Sequence, residues 1–335
     1  MPVPAGSLQP SPSGAGYRPS RVRAREGGVA IVTLPDRAVP WPEGSRARMP
    51  GAVFLGIDHL VVAVADPDRA AGEIEATLGL RVAEGGRHAT QGTFNRLVWL
   101  GDTFIELIGV FDRALAERSW IGRPTLAAID AGGAAAWSLA TWAIASDSLD
   151  ADVARLRGQG ADLSLPLAGE RLRPDGRVVR WRLAAPGSLG PLEPPFLIEH
   201  APDSAEWTAA ERTARAADVH PIGGRVRLER LELGVPLADL SRVTRQYLRA
   251  TGLRFRPSLA GRGARDATVG PHLVRLAPAG HGPAMPPSGA ALAIGVRTAP
   301  VLVTIGLTVD GAEGRAADLH GVRFELRGTG PSRGD

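Results

Sequence analysis

The sequence predicts an α+β chain built from tandem βαβββ modules, and three observations carry that expectation. Two apolar strands near the front, Ile57 to Val64 and Thr103 to Val110, each hold one metal-capable side chain, His59 and Glu106. Between them lies a helix with apolar Ala70, Ile74 and Leu78 at three- and four-residue spacing, started at Asp66-Pro67-Asp68 and stopped at Gly79. The same outline then returns about eighty residues later and closes on Phe196-Leu197-Ile198-Glu199-His200.

Module one occupies 52–111. Its first strand and helix are followed by strands at Leu80 to Ala83, Thr93 to Leu100 and Thr103 to Val110, with a glycine-bearing loop, 85–92, between the first two. Module two occupies 137–202. Strand Trp137 to Ala145 leads through Ser146-Asp147-Ser148 into helix Leu149 to Arg157, and strands follow at Leu163 to Leu167, Val178 to Leu183 and Pro195 to His200. Asp66 aligns with Asp147 at an offset of 81 and Glu106 with Glu199 at 93, which requires an insertion in the Pro/Gly loop 186–194. Helix Ser204 to Ala217 provides a linker, 203–222. A fainter copy fills 223–330: at an offset of 173 Asp66 falls on Asp239, Gly79 on Gly252 and His59 on Glu232, and strands are expected at 273–276, 301–309 and 322–326. No coherent ligand set accompanies Glu232, so that half reads as a structural or dimer-mimicking domain. Gly261-Arg262-Gly263 lacks the Lys and helix of a phosphate loop.

Composition bounds the partners. Residues 1–50 are rich in Pro, Gly, Ser and Arg without periodicity and read as a disordered leader, with a short strand at 29–32 and with Met49 as a candidate natural start. That leader holds seven Arg against Glu26, Asp36 and Glu43, a net of +4, which equals the whole-chain net charge of +4. The remaining body is therefore close to neutral and offers no basic surface for nucleic acid. There is no Cys, which excludes disulfides, thiolate nucleophiles and Cys-ligated zinc. The N-terminus lacks a secretory signal core, and the longest uncharged stretch, 276–296, is broken by Pro and Gly and makes a poor membrane span. The expectation is a soluble, cytoplasmic protein.

With its ordered set of strands and loops the chain resembles the vicinal oxygen chelate (glyoxalase/bleomycin resistance/dioxygenase) superfamily, specifically its glyoxalase-like domains. The residues that carry this are 57–64 with the helix after Asp66, Gly85-Gly86-Arg87-His88 through Gly92-Thr93-Phe94-Asn95-Arg96-Leu97, Phe104-Ile105-Glu106-Leu107, and Pro195 to Glu199. The match spans about 52–202 well and 225–327 weakly. The resemblance implies curved mixed sheets whose concave face holds a divalent ion and a small substrate that chelates it through adjacent oxygens. It nominates His59, Glu106 and Glu199 as ligands, with Mn, Fe, Zn or Mg as candidate ions, and Glu199 also as the catalytic base. The fourth ligand position falls at about Ala140, which cannot ligate.

Each nominated residue also has a plainer reading. His59 alternates with Ile57, Val61 and Ala63, which puts its ring on their face, and is either a ligand or a histidine hydrogen-bonded in a core. Glu106 alternates with Phe104 and Ile108, and either meets a cation or pairs with an arginine such as Arg96. His200 should point away from Glu199, to the surface. His88 is either a polar contact to substrate or a solvent-exposed loop histidine. Asn95 either orients a substrate oxygen or ties down a neighbouring loop, and Trp142 and Trp181 either wall a pocket or fill a core. Two function classes follow: a metal-dependent lyase, isomerase or dioxygenase, or a metal-free protein that binds or sequesters a small molecule such as an antibiotic. The assembly is expected to be a homodimer, or a monomer whose C-terminal half mimics one.

Overall fold

The structure is a computed structural model that describes residues 54–133, 136–279, 301–311 and 313–329. The expected leader, the strand at 29–32 and Met49 lie outside the described residues. Fifteen strands are described. The first eight close into a barrel: β1 (Gly56–Ala63), β2 (Ala83–His88), β3 (Thr93–Leu100), β4 (Thr103–Val110), β5 (Ser138–Ala145), β6 (Leu167–Leu172), β7 (Val178–Ala184) and β8 (Phe196–His200). Their order around the barrel is β1-β4-β3-β2-β6-β7-β8-β5. Each module supplies one contiguous half. β1 runs parallel to β4 and β5 parallel to β8, the crossover in each module being a helix: α1 (Pro67–Leu78) in the first and α4 (Leu149–Gly158) in the second. This is the tandem βαβββ arrangement of the vicinal oxygen chelate fold.

The helices start and stop where local chemistry dictates. The Asp66 side chain accepts from the backbone N–H groups of Asp68 and Arg69, and Gly79 ends α1 with φ of 64°. Two further helices, α2 (Arg113–Ala116) and α3 (Gly122–Gly132), fill the segment between the modules, to which the sequence reading assigns no element. They pack against each other, and α3 packs on β1, β4 and β5. α5 (Ala209–Ala217) forms the later part of the expected linker helix, residues 204–208 being loop instead.

The alternation along β1, β3, β4, β7 and β8 separates two cores. Val61, Leu97, Phe104, Trp181, Phe196 and Ile198 belong to a cluster inside the barrel. Leu60, Ile105, Leu107, Trp142 and Leu197 face outward, where α1, α4 and a second sheet cover them in one continuous apolar cluster. That second sheet has the order β10-β11-β12-β9-β13-β15-β14. It comprises β9 (Val226–Val235), β10 (Arg256–Pro257), β11 (Arg265–Val269), β12 (His272–Pro278), β13 (Val303–Asp310), β14 (Arg315–Leu319) and β15 (Val322–Thr329), with α6 (Leu240–Thr251) as its one long helix. β9 is parallel to β12 and antiparallel to β13, and β13 is parallel to β15, so the module pattern persists in degenerate form. Glu232, at the His59 position of this copy, lies near Arg230 and Arg275 at 3.3 and 3.6 Å. Among the described residues, no helix is long and apolar enough to cross a membrane.

Two strand assignments differ from the sequence expectation. The glycines expected to make a loop at 85–92 sit largely within β2. A Cβ on Gly85 would lie 2.0 Å from Asn95 Oδ1, and one on Gly86 would lie 2.7 Å from the Leu172 carbonyl oxygen. These glycines mark close approach of β2 to its neighbours at a register shift between Glu84 and Gly86. β6 likewise begins at Leu167, and Leu163 makes only an isolated bridge to Pro186. The Gly85→Ala variant is expected to lose about 2 kcal/mol or more of stability in chemical denaturation, because the added methyl overlaps Asn95 and cannot relax without moving β3. A neutral outcome would mean that β2 does not run this close to Asn95.

A candidate small-molecule site inside the barrel

A cavity opens into the barrel interior, with about 590 Å³ of space free of atoms once its solvent-open mouth is included. Its walls are unusually aromatic. Phe104, Phe196, Trp181, Trp120 and Trp207 line it, the last two arriving on the α2–α3 connection and the loop after β8. Against this apolar surface stand His59, Glu106, Asn95, His88 and His200, with Arg171 and Glu206 to one side.

Asp58 organises the polar side. β1 and β5 change register between Ile57 and His59, a bulge that leaves Asp58 as the extra residue and removes it from strict alternation. Its carboxylate has no solvent exposure, and Oδ1 lies 2.8 Å from His59 Nδ1 and 3.0 Å from His200 Nε2. Burial alone would raise its pKa, but the charge and hydrogen bonds of the two imidazoles outweigh that and hold the carboxyl well below the usual range. An ionised Asp58 only accepts, so His59 carries its proton on Nδ1 and His200 carries one on Nε2. The His59 ring stacks on Phe104 at a centroid distance of 4.6 Å, and the His200 ring stacks on Trp207 at 3.7 Å.

His59 Nε2 then faces Glu106 Oε2 across 3.8 Å, too far for a direct hydrogen bond. The other oxygen of Glu106 accepts from Asn95 Nδ2 at 2.5 Å, and Asn95 Oδ1 accepts from the Gly86 N–H at 2.9 Å. Asn95 therefore ties down β2, the second of the roles left open for it, and also holds the Glu106 carboxylate, a contact the sequence reading did not include. Arg96, the alternative partner for Glu106, points outward and binds Asp68. His88 also lines the cavity. Its Nδ1 meets Thr93 Oγ1 at 2.9 Å, its ring meets Trp181 edge to face, and burial drives its pKa down to about 4.

Of the nominated residues, the structure gathers His59, Glu106, His88, Asn95 and Trp181 around one cavity; Glu199 and Trp142 lie elsewhere. Glu199 projects from the outer face of β8 and receives Arg182 Nη2 at 2.5 Å, near the N-terminus of α4, and burial raises its pKa. Its neighbour His200, expected at the surface, is the residue that β8 turns into the barrel. Trp142 is fully buried on the outside of β5 and stacks with Tyr247 of α6 at 6.2 Å. The sequence reading passed over Asp58, Arg171 and Glu206. An acid beside a histidine in an apolar strand was the one available sign of Asp58.

A profile described as a glyoxalase-like domain matches residues 57–251, more than half of the chain. The chain belongs to the glyoxalase-like domain family of the vicinal oxygen chelate superfamily. No curated protein sequence matches it. Among solved structures, this glyoxalase-like protein is similar to a hypothetical protein from Staphylococcus aureus, with a TM-score of 0.62 and 13% identity over 82% of this chain and 99% of that one, a likeness of fold. Methylmalonyl-CoA epimerase from Mycobacterium tuberculosis aligns with a TM-score of 0.35 and 25% identity over 47% of this chain and 95% of its own. The Streptomyces coelicolor epimerase in complex with 2-nitronate-propionyl-CoA gives 0.32 and 20% over 44% and 99%.

Many members of the superfamily use a divalent ion, and the donor set of this glyoxalase-like chain bears on whether it can hold one. Among the described residues, no three His, Cys, Asp or Glu side chains converge to hold a metal. His59 Nε2 and Glu106 Oε2 are the only nominated pair that meets, and the facing positions on β5 are Ala140, Thr141 and Ala143. Two donors fall short of the three or four protein ligands of a resident transition-metal site.

Because His88 is neutral in the fold below its ordinary pKa of 6.5, the unfolded chain binds the extra proton first as pH falls. Stability is therefore expected to decline between pH 6.5 and about 4 on this account, and His88→Gln should flatten that part of the melting-temperature profile. Parallel profiles for the two proteins would show that His88 is not held neutral.

Proposed function

We propose that the barrel cavity binds a small, largely apolar molecule and that Glu106 and His59 move a proton on it, the chemistry of an isomerase or a lyase. The observation that carries this reading is the pair of acceptors, His59 Nε2 and Glu106 Oε2, facing each other across 3.8 Å on an aromatic wall. Neither can donate to the other when His59 is neutral and Glu106 ionised, so together they present two lone pairs to the cavity. A substrate C–H or O–H made acidic by a neighbouring carbonyl could approach both from the cavity side. Glu106, oriented by Asn95, is the base that takes the proton. His59, held by Asp58 at Nδ1, accepts a hydrogen bond at Nε2 or relays the proton onward, and an imidazolium formed there is stabilised by Asp58.

No step in this scheme uses a resident ion, since two donors fall short of a transition-metal site. Addition of Mn²⁺, Zn²⁺, Fe²⁺ or Mg²⁺ is accordingly expected to raise the melting temperature by no more than about 1 °C, the signature of binding too weak to shift the folding equilibrium. A rise of several degrees would restore the chelating mechanism that the family resemblance implies.

The aromatic wall favours a second reading, sequestration of a planar molecule without turnover. The two separate in D₂O with a panel of small aryl ketones and 2-oxo compounds. Proton transfer predicts deuterium uptake at the acidic carbon, slowed by about 10²-fold or more in Glu106→Gln, in line with loss of a general base. Quenching of tryptophan fluorescence by panel members with no deuterium uptake would leave sequestration as the function.

A further inference from the structure

The proton-transfer reading leaves one side of the cavity unused. Arg171, on β6, is only 5% exposed, yet it lines the cavity. It is held by Glu206 through a two-pronged contact, Nη2 to Oε1 at 2.9 Å and to Oε2 at 2.7 Å, while Nη1 donates to the Gly85 carbonyl oxygen at 2.6 Å. Glu206 is equally buried and has a second partner in Arg173. Its backbone lies at φ of 68°, the left-handed region that a glutamate adopts at a cost. It sits in the short loop between β8 and α5 beside Trp207, whose indole also lines the cavity and stacks on His200.

Consecutive residues of one strained loop thus hold an aromatic ring and a carboxylate against the same cavity, the carboxylate on a buried arginine. A carboxylate is the group that a guanidinium fork recognises best. An incoming carboxylate would take the place of Glu206 on Arg171, one ion pair on that buried guanidinium replacing another, while Glu206 keeps its more exposed partner Arg173; movement of the loop would relieve its backbone strain. Resting on the proposed small-molecule function of this cavity, we infer that the ligand is an aryl-bearing carboxylic acid and that Arg171 is its specificity-determining residue, with Glu206 standing in its place when the site is free.

The test compares 3-phenylpropanoate with its neutral amide, 3-phenylpropanamide, by quenching of tryptophan fluorescence. In Glu206→Gln the internal competitor is gone, so the acid is expected to bind about tenfold or more tightly than to the wild type, with the amide within about twofold. Arg171→Met should remove any preference for the acid. An acid affinity in Glu206→Gln that is unchanged or weaker, or equal tightening of acid and amide, overturns the assignment. Should Glu206→Gln fail to fold, the wild type decides: acid bound about fivefold or more tightly than amide supports the inference, and equal affinities overturn it. Binding of the amide without preference for the acid sinks the carboxylate assignment alone and leaves proton transfer standing. Failure of both probes to bind any folded form sinks both.

Discussion

A single buried carboxylate, that of Asp58, ties the site together. It accepts from His59 of its own strand and from His200 of β8, so it joins the first strand of one module to the last strand of the other. Removing it would leave two imidazoles buried against aromatic rings without their shared acceptor, a loss of several kcal/mol in comparable buried pairs, about 3–5. Its effect reaches beyond the contact. By fixing the proton on His59 Nδ1 it turns the bare Nε2 toward Glu106, and by fixing His200 it seats the ring on which Trp207 stacks. Trp207 in turn anchors the loop that brings Glu206 to Arg171 on β6. A chain of contacts from β1 through β8 to β6 therefore starts at one residue, and that residue reaches its place through a bulge.

The bulge explains why part of this was legible in the sequence and part was not. Alternation finds β3 and β4 to the residue and puts Phe104, Glu106 and Ile108 on one face, because nothing interrupts the pleat there. It places His59 with Val61 and Ala63, but Ile57, expected on the same face, falls in the outer cluster because the pleat is interrupted between it and His59. Asp58 escapes it, since a bulged residue follows neither face. β8 shows a different limit. Alternation states that Glu199 and His200 oppose each other, but not which of them faces inward. Aligning the two glutamates supplied the missing parity, and the insertion at 186–194 makes that alignment uncertain by one residue. One residue is all that separates a buried imidazole in the cavity from a carboxylate bound to Arg182 outside it.

Glycine misleads in the opposite direction. A run of glycines between two apolar stretches reads as a loop because flexibility is their commonest use. In β2 their value is the missing side chain: the strand passes so close to Asn95 and to β6 that no Cβ fits. The displacement of β6 from its expected place has the further effect of hiding Arg171, which reads as an ordinary charge in a polar stretch when that stretch is taken as loop. Likewise Trp142 has the composition of a pocket wall, but its outward face meets Tyr247 of the second sheet's helix, a partner 105 residues away that no local pattern announces.

The charges around the cavity share one arrangement that bears on what can enter it. Asp58 is matched by two imidazoles, Glu106 is oriented by an amide, and Arg171 is matched by Glu206, all behind aromatic walls. Burying a further unmatched charge among them would incur the full cost of desolvation. A neutral molecule can occupy the space beside these groups, but an ionised one can enter only by exchanging with a group already there. Asp58 is locked by two partners on two strands and Glu106 sits on a barrel strand. Glu206 alone among these acids belongs to a loop with a strained backbone, which makes it the one carboxylate that the fold can release without opening the barrel.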